Sequence, residues 1–171
     1  FTQLGYRVVL SGISGKKIYE LGMGTIPSES VCYPGKLAHG HIMDLINKKV
    51  KKIFYPCIFY NIKEDKDAGN HYNCPIVISY PESIQANIDM KGLIFYKPFL
   101  NLNDKERLIN KLCRELGEGE DLTLSEIRYA AEKAYEELYS YKQDVRKEGD
   151  RALKYMRDNN MYGNIHENSL K

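Results

Sequence analysis

The stretch YPGKLAHGHIMDLINKKVKKIFY, residues 33–55, decides the fold class. Pro34 stands where a helix begins, a position at which its missing N–H leaves no hydrogen bond unmade. Apolar residues then recur at helical spacing as far as the basic pair Lys48-Lys49, whose charge suits a helix C-terminus. They are Leu37, Ala38, Ile42, Leu45 and Ile46. The run Ile53–Tyr55 follows as a short buried strand, so the stretch predicts a helix leading into a strand.

The same alternation of strands and helices continues on both sides of this stretch. Tyr6–Leu10 is apolar and β-branched and predicts a strand, and Lys16–Leu21 predicts a short helix. Ile76–Ile78 and Gly92–Tyr96 predict two further strands, and Pro81-Glu82-Ser83 predicts the start of a helix between them. Such alternation is typical of a parallel sheet with helices on both faces. We therefore predict an α/β fold of three layers.

The character of the chain changes after residue 103. Asp104 is placed to cap a helix that runs to about Leu116, and a second helix begins near Thr123 and continues to about Asn159. The apolar stripe of this long helix comprises Ile127, Ala130, Ala131, Ala134, Leu138, Tyr141 and Val145. A helix of this length usually reaches another domain or another chain, and we expect it to do so here.

These patterns divide the chain into three parts. We predict an α/β subdomain at residues 1–103, a helical extension at 104–163 and a disordered tail at 164–171. The chain has 171 residues, of which 43% are hydrophobic, which is enough for one domain with its own core. It begins with Phe1 rather than methionine, and we expect it to be an excised piece of a longer protein.

Charge and hydropathy exclude several classes of partner. The net charge of +2 gives no general reason to expect nucleic acid as a partner. No apolar run approaches the roughly 18 to 20 residues that a membrane helix needs, and no basic-then-apolar leader is visible. We therefore expect a cytoplasmic protein that binds neither nucleic acid nor a membrane.

The cysteines are the candidate chemical site. Four of them in a chain of this size do not make a disulfide scaffold, so we expect reduced thiols. Cys57 directly follows a predicted strand, and Cys32 precedes the helix at Pro34, where the helix dipole favours a thiolate. Both fall at the sheet edge where ligands collect in parallel sheets. Cys74 leads into a predicted strand at the opposite edge, whereas Cys113 lies within a predicted helix and has a structural role.

The spacing of these residues leaves several uses open. Thiolates suit iron–sulfur clusters and zinc, but there is no C-x-x-C pair, and cysteines in such cores are often small apolar fillers. His71, beside Cys74, is a further candidate ligand. The loop Gly12–Lys17 follows a predicted strand and ends in lysines, yet it lacks the G-x-x-x-x-G-K-[ST] spacing of a phosphate loop. Nucleotide binding therefore stays an alternative.

Three longer motifs carry a family resemblance. IPSESVCYPGKLAHGH at residues 26–41, IFYPC at 53–57 and NHYNCPIV at 70–77 resemble the hallmarks of activase-related proteins of the 2-hydroxyglutaryl-CoA dehydratase system, a group found in anaerobes. These proteins are also known as CoA-substrate-specific enzyme activases. The resemblance extends from about Leu4 to Asn160.

The resemblance implies a fold, a cofactor and partners. It implies a Rossmann-like or flavodoxin-like subdomain, similar to the dehydratase component, that holds an iron–sulfur cluster through cysteines. Cys32 and Cys57 match the cysteines of the first two motifs and Cys74 that of the third, so all three are its implied ligands. An ATP-hydrolysing activase module would deliver electrons, and 2-hydroxyacyl-CoA thioesters would be the substrates. No ATPase module is contained in these residues.

Two hypotheses of function follow from the sequence. The first is an iron–sulfur-binding, electron-accepting part of an acyl-CoA dehydratase activase-related protein. The second is a non-catalytic assembly module, in which the long helix docks on the ATPase module or on a second copy to form a homodimer, and the cysteines are structural.

Overall fold

The computed structural model describes residues 1–63, 65 and 67–161, and it confirms the predicted α/β class with parallel strands and a long final helix. The chain divides into two compact units, Phe1–Arg128 and Tyr129–Lys171. Within the described residues, every strand belongs to the first unit. The division predicted at residues 103 and 163 stays a prediction, and the predicted tail lies outside the described residues.

Five α-helices and four β-strands follow one another along the described chain, besides two short 3-10 helices at Thr2–Leu4 and Met23–Thr25. The helices are α1 Lys16–Gly22, α2 Tyr33–Asn47, α3 Pro75–Asn87, α4 Lys105–Glu120 and α5 Leu124–Asp158. The strands are β1 Lys52–Phe54, β2 Cys57–Tyr60, β3 Ile94–Tyr96 and β4 Phe99–Asn101.

The strands form two short parallel pairs, β1 with β3 and β2 with β4. The two pairs succeed one another along the same chain segments, separated at Pro56 and Pro98. Hydrogen bonds bridge this gap, since Tyr55 N donates to the carbonyl of Tyr96 at 2.8 Å and Cys57 N to that of Pro98 at 2.9 Å. Proline has no N–H to donate, which accounts for the interruption of both ladders at the same level.

The core of the first unit lies where α2 and α3 pack on β1 and β3. Its buried members are Ala38, Ile42, Ile53, Ile84 and Ile88. The α2 residues have the helical spacing that the sequence predicts, and the predicted strand at residue 53 supplies the facing side chain. Burial of these apolar groups is what holds the two helices against the strand pair.

Helices α1 and α2 approach each other at two glycines. A Cβ atom at Gly40 would lie 1.8 Å from the carbonyl oxygen of Ile18, and one at Gly22 would lie 2.3 Å from the amide nitrogen of Gly40. No side chain can enter this contact, so the backbones of the two helices touch directly. The contact fixes α1 on the outer side of α2.

Two of the predicted strands are wrong. Tyr6–Leu10 forms neither a helix nor a paired strand in the described structure. Ile76–Ile78 belongs to α3, which begins at Pro75 and passes through Pro81 instead of starting there. Tyr80, Ile84 and Ile88 follow one another at intervals of four and face the core cluster, so packing of a helical face prevails over the β-branched composition.

The predicted helix starts at the C-terminal side are confirmed. The Asp104 carboxylate accepts a hydrogen bond from Arg107 N at 3.0 Å and caps α4. Thr123 and Glu126 form a reciprocal capping box at the start of α5, with Thr123 N donating to the Glu126 carboxylate at 2.9 Å. Helix α4 does not end near Leu116 as predicted but continues to residue 120.

The second unit consists, as far as it is described, of the continuation of α5. Ala131 is buried, but Tyr139, Tyr141 and Val145 are exposed by 67%, 63% and 52%. The apolar stripe predicted for this helix is therefore covered only in its first turns. Among the described residues there is no helix both long and apolar enough to cross a membrane.

Candidate functional site

Cys32 lies at the N-terminus of α2. It is the residue before the first helical residue, and the proline that follows lies in the first turn. Its side chain is exposed, and its Sγ lies 3.3 Å from the hydroxyl of Tyr80 on α3. The sequence predicted the helix terminus, but it did not identify Tyr80 as a partner.

The contact with Tyr80 lowers the pKa of the Cys32 thiol. The hydrogen bond from the Tyr80 hydroxyl is the largest cause, and the backbone N–H of Gly35 adds to it. Burial and the same hydrogen bond raise the pKa of Tyr80, which therefore stays protonated and acts as the donor. The pair is thus arranged to hold a thiolate at Cys32.

Cys74 has the same position on the next helix. It precedes α3, Pro75 lies in the first turn, and the thiol is exposed. The charge of Cys74, like that of Cys32, raises the pKa of Tyr80. Cys74 therefore precedes the helix that carries Tyr80. The prediction that it leads into a strand at the opposite sheet edge is wrong.

Gly35 makes room for this arrangement. A Cβ atom at Gly35 would lie 2.7 Å from Cγ1 of Val31 and 2.8 Å from Cε1 of Tyr80. The absence of a side chain allows the Tyr80 ring to lie against the first turn of α2, where its hydroxyl reaches Cys32.

Cys57 has a different environment. It is the first residue of β2, and its side chain is fully buried. Burial raises the pKa of the thiol, the Glu82 carboxylate raises it further, and the Lys97 ammonium partly opposes them. Glu82 and Lys97 form an ion pair with each other. Its surroundings therefore favour the neutral thiol at Cys57, whereas the contact with Tyr80 favours the thiolate at Cys32.

Tyr55 connects Cys57 to the exposed cysteines. Burial and the nearby charge of Cys57 raise the pKa of Tyr55 to about 12, and the charge of Tyr55 in turn raises that of Tyr80. A cavity of about 410 Å³ reaches both tyrosines and is bounded by Pro34 and Ala38 of α2. Cys32 thus contacts Tyr80, Cys74 lies at the start of the helix that carries Tyr80, and Cys57 is buried in the core.

Within the described residues, no group of three or more His, Cys, Asp or Glu side chains is arranged to hold a metal ion. The donor type fits an iron–sulfur cluster at two positions, because Cys32 and Cys74 are exposed thiols at helix N-termini. Cys57 does not fit as a third cluster ligand in this conformation, because its thiol is buried in the core. All four cysteines are free thiols, in agreement with the prediction.

His71, His41 and the glycine loop make hydrogen bonds within the protein. His71 Nε2 lies 3.2 Å from the carbonyl of Ala68. The loop considered as a weak phosphate site makes hydrogen bonds to α2 instead. Gly12 N donates to the Asp44 carboxylate at 2.8 Å. Both ring nitrogens of His41 lie 2.9 Å from serine hydroxyls in the loop or directly before it. A carboxylate already accepts the loop amide, so this geometry does not favour phosphate binding.

Over residues 1–166 the sequence matches the family described as the CoA enzyme activase uncharacterised domain. No curated protein and no solved structure matches the chain. The matched region contains the three motifs and all three candidate cysteines, and it confirms the resemblance to activase-related proteins. Because the match covers nearly the whole sequence, the chain belongs to the CoA enzyme activase uncharacterised domain family.

Proposed function

We propose that this chain is the iron–sulfur-binding, electron-accepting part of a CoA enzyme activase-related protein. One observation carries the proposal: Cys32 and Cys74 are both exposed and both precede a helix with a proline in its first turn, and Cys32 Sγ lies 3.3 Å from the Tyr80 hydroxyl. The contact with Tyr80 favours the thiolate at Cys32, and thiolate is the form that ligates iron.

The exposed pair supplies two ligands in this proposal. The Tyr80 hydroxyl holds Cys32 in position through the 3.3 Å contact and favours its deprotonated form. A cluster bound there would supply one-electron redox chemistry. The remaining ligands come from Cys57, which has to become accessible, or from a partner, because the two exposed thiols alone do not complete a cluster.

The partners in the proposal are those that the sequence resemblance implies. An ATP-hydrolysing activase module delivers the electrons, and an acyl-CoA thioester is the compound that the complete system acts on. The cytoplasm is the expected compartment, since reduced thiols persist there.

Anaerobic iron and sulfide reconstitution tests the proposal. We expect a visible absorption band and an EPR signal after reduction, and loss of iron uptake in both Cys32→Ser and Cys74→Ser. Cys57→Ser decides whether the buried thiol is a third ligand. Cys113→Ser is the matched control, because this thiol is half-buried within α4 and does not precede a helix.

The outcome against the proposal is equally clear. Two results would reject the cluster. One is that the unsubstituted protein takes up no iron even together with its activase partner. The other is that the Cys32→Ser, Cys74→Ser double variant takes up as much iron as the unsubstituted protein.

The exposed stripe of α5 favours a second function, an assembly module. Tyr141 and Val145 lie one turn apart on this helix, and both are more than half exposed. Side chains of this kind are typical of surfaces that bind another helix. In this case the helix would form a homodimer or dock on the activase module.

Light scattering coupled to size-exclusion chromatography separates the two functions. An assembly module forms a dimer that dissociates in the Tyr141→Glu, Val145→Glu variant and persists in Cys32→Ser. The second function is rejected if the protein is a monomer at all concentrations and does not bind the activase module through α5.

A further inference from the structure

Strand β1 is hydrogen-bonded on one side only. The carbonyl of Lys51 accepts from Ile94 N at 3.0 Å, and Tyr55 N donates to the carbonyl of Tyr96 at 2.8 Å. Because alternate residues of a strand direct their backbone groups to opposite edges, Lys52 and Phe54 direct theirs away from β3. In the part of the chain that the structure describes, no strand pairs with that edge.

Residues of β1 line two cavities. The larger has a volume of about 520 Å³, and β1 with its flanking residues forms one wall of it. The smaller, of about 410 Å³, continues along Ile53, Phe54 and Tyr55 as far as Tyr80. Side chains of the N-terminal segment reach β1, with the rings of Phe1 and Phe54 4.8 Å apart, but no described strand covers the edge.

The segment 6–11 also lines the larger cavity. It contains the apolar run predicted as a strand, and Val8, Val9 and Leu10 are exposed by 48%, 40% and 78%. Residues 7–9 make no backbone hydrogen bond with other described residues. Two stretches of backbone without a described strand partner on the cavity side, residues 7–9 and the outer edge of β1, therefore line the same cavity.

We propose that this cavity receives one additional β-strand, supplied by a polypeptide segment outside these 171 residues. The strand pairs with Lys52 and Phe54 on one edge and with residues 7–9 on the other, which converts β1 from an edge strand to a central one. An acyl chain would cover the apolar walls but leave the backbone groups of both edges unpaired, which is unfavourable.

The occupant is not the equivalent segment of a second copy. Tyr6 is fixed by its hydroxyl, which donates to the Glu120 carboxylate at 2.6 Å, and Leu10 by its carbonyl, which accepts from Lys48 Nζ at 3.0 Å. A segment held at both ends in its own molecule is not free to enter the cavity of another.

The charged residues that line the cavity indicate which residue type flanks the added strand. Arg7 and Lys51 line the cavity and form no ion pair with described residues. Glu120, the carboxylate in the same lining, is already bound by Lys52, Tyr6 and Tyr96. The cavity therefore has a surplus of positive charge, which complements a strand flanked by acidic residues.

Fluorescence anisotropy with a labelled peptide tests the proposal. The probe is acetyl-Asp-Val-Thr-Val-Thr-Val-Asp-amide, an alternating strand with acidic ends. We expect saturable binding, and about tenfold weaker binding when the three central amides are N-methylated, because backbone pairing is then lost. A peptide with lysine in place of both aspartates should also bind more weakly.

Matched variants locate the binding. Val9→Arg places a charge on the cavity wall and should abolish probe binding, whereas Ile13→Arg should leave it unchanged, because Ile13 is 96% exposed and lies outside the cavity. The proposal is overturned if the probe does not bind, if the N-methylated peptide binds equally well, if Val9→Arg has no effect, or if laurate or self-association alone fills the cavity.

Discussion

The hydroxyl of Tyr80 distinguishes Cys32 from an ordinary exposed thiol. Its hydrogen bond is the main reason why the pKa of Cys32 is lowered. In Tyr80→Phe the ring remains against Gly35 but the donor is gone, so we predict that the pKa of Cys32 rises. The rate of Cys32 alkylation by iodoacetamide, followed by mass spectrometry as a function of pH, should show its midpoint shifted to higher pH.

Tyr33→Phe is the control for this prediction. Tyr33 is the neighbour of Cys32 in sequence and packs against Tyr19 with ring centroids 5.8 Å apart. Its replacement should leave the alkylation profile of Cys32 unchanged. An equal shift in both variants, or none in Tyr80→Phe, would show that Tyr80 does not control the thiol.

Sequence reasoning could place Cys32 but not its partner. The proline after Cys32 marks a helix N-terminus, and this local signal was sufficient. Tyr80 is 48 residues away, and its position follows only once α3 is recognised as a helix. Cys57 was placed correctly after a strand, but the chain resumes as β2 directly at Cys57 and so takes the thiol into the core.

Among the elements, α1 and α2 form the contact most sensitive to substitution. A Cβ at Gly40 would lie 1.8 Å from the Ile18 carbonyl oxygen, and backbone cannot yield as a flexible side chain can. We predict that Gly40→Ala destabilises the protein by about 3 kcal/mol or more, since overpacking a close contact forces the backbones apart. Urea unfolding followed by circular dichroism measures the change.

Gly149→Ala provides a control of opposite sign. Gly149 lies inside α5, and a Cβ there meets nothing within 4 Å. Alanine should stabilise this helix by up to about 1 kcal/mol, because glycine is the poorer helix former. If Gly40→Ala were as well tolerated as Gly149→Ala, the direct backbone contact between α1 and α2 would be refuted.

The elements that the sequence predicts correctly are those with local signals at their ends. Helices α2, α4 and α5 begin at a proline or at capping residues, and their apolar spacing is regular. Tyr6–Leu10 has the composition of a strand, but a strand also needs a neighbour to accept its hydrogen bonds, and this one has none in the described chain. Ile76–Ile78 has strand composition too, yet Ile84 and Ile88 bind α3 to the core as a helix.

On the scale of the whole first unit, Glu120 joins four parts of the chain. Its carboxylate on α4 accepts hydrogen bonds from Tyr6 in the N-terminal segment and from Tyr96 of β3, and it forms an ion pair with Lys52 of β1. The side chain of Glu120 is only 6% exposed. Neither the sequence spacing nor the motifs indicated this cluster, because its members are brought together only by the packing of α4.

The Glu120 cluster makes stability depend on pH at both extremes. The hydrogen bonds and Lys52 lower the pKa of Glu120 from 4.5 to about 2. Its contribution to stability is therefore present above pH 4.5 and is lost as the pH falls towards 2. Acceptance by the same carboxylate helps to raise the pKa of Tyr6 and of Tyr96 to about 12, so their contribution is complete below pH 10 and is lost as the pH rises towards 12.

Glu120→Gln tests this dependence. The amide keeps an acceptor oxygen but loses the charge, so we predict a loss of about 1–3 kcal/mol in the free energy of unfolding at pH 7. The loss should shrink as the pH falls from 4.5 towards 2, where the native carboxylate is itself protonated. Urea titrations at a series of pH values measure both effects.

Glu29→Gln is the control, because the Glu29 side chain is fully exposed. It should change neither the stability nor its pH profile, because an exposed ion pair contributes little. Parallel pH profiles for Glu120→Gln and the unsubstituted protein would mean that the carboxylate does not hold the four parts together.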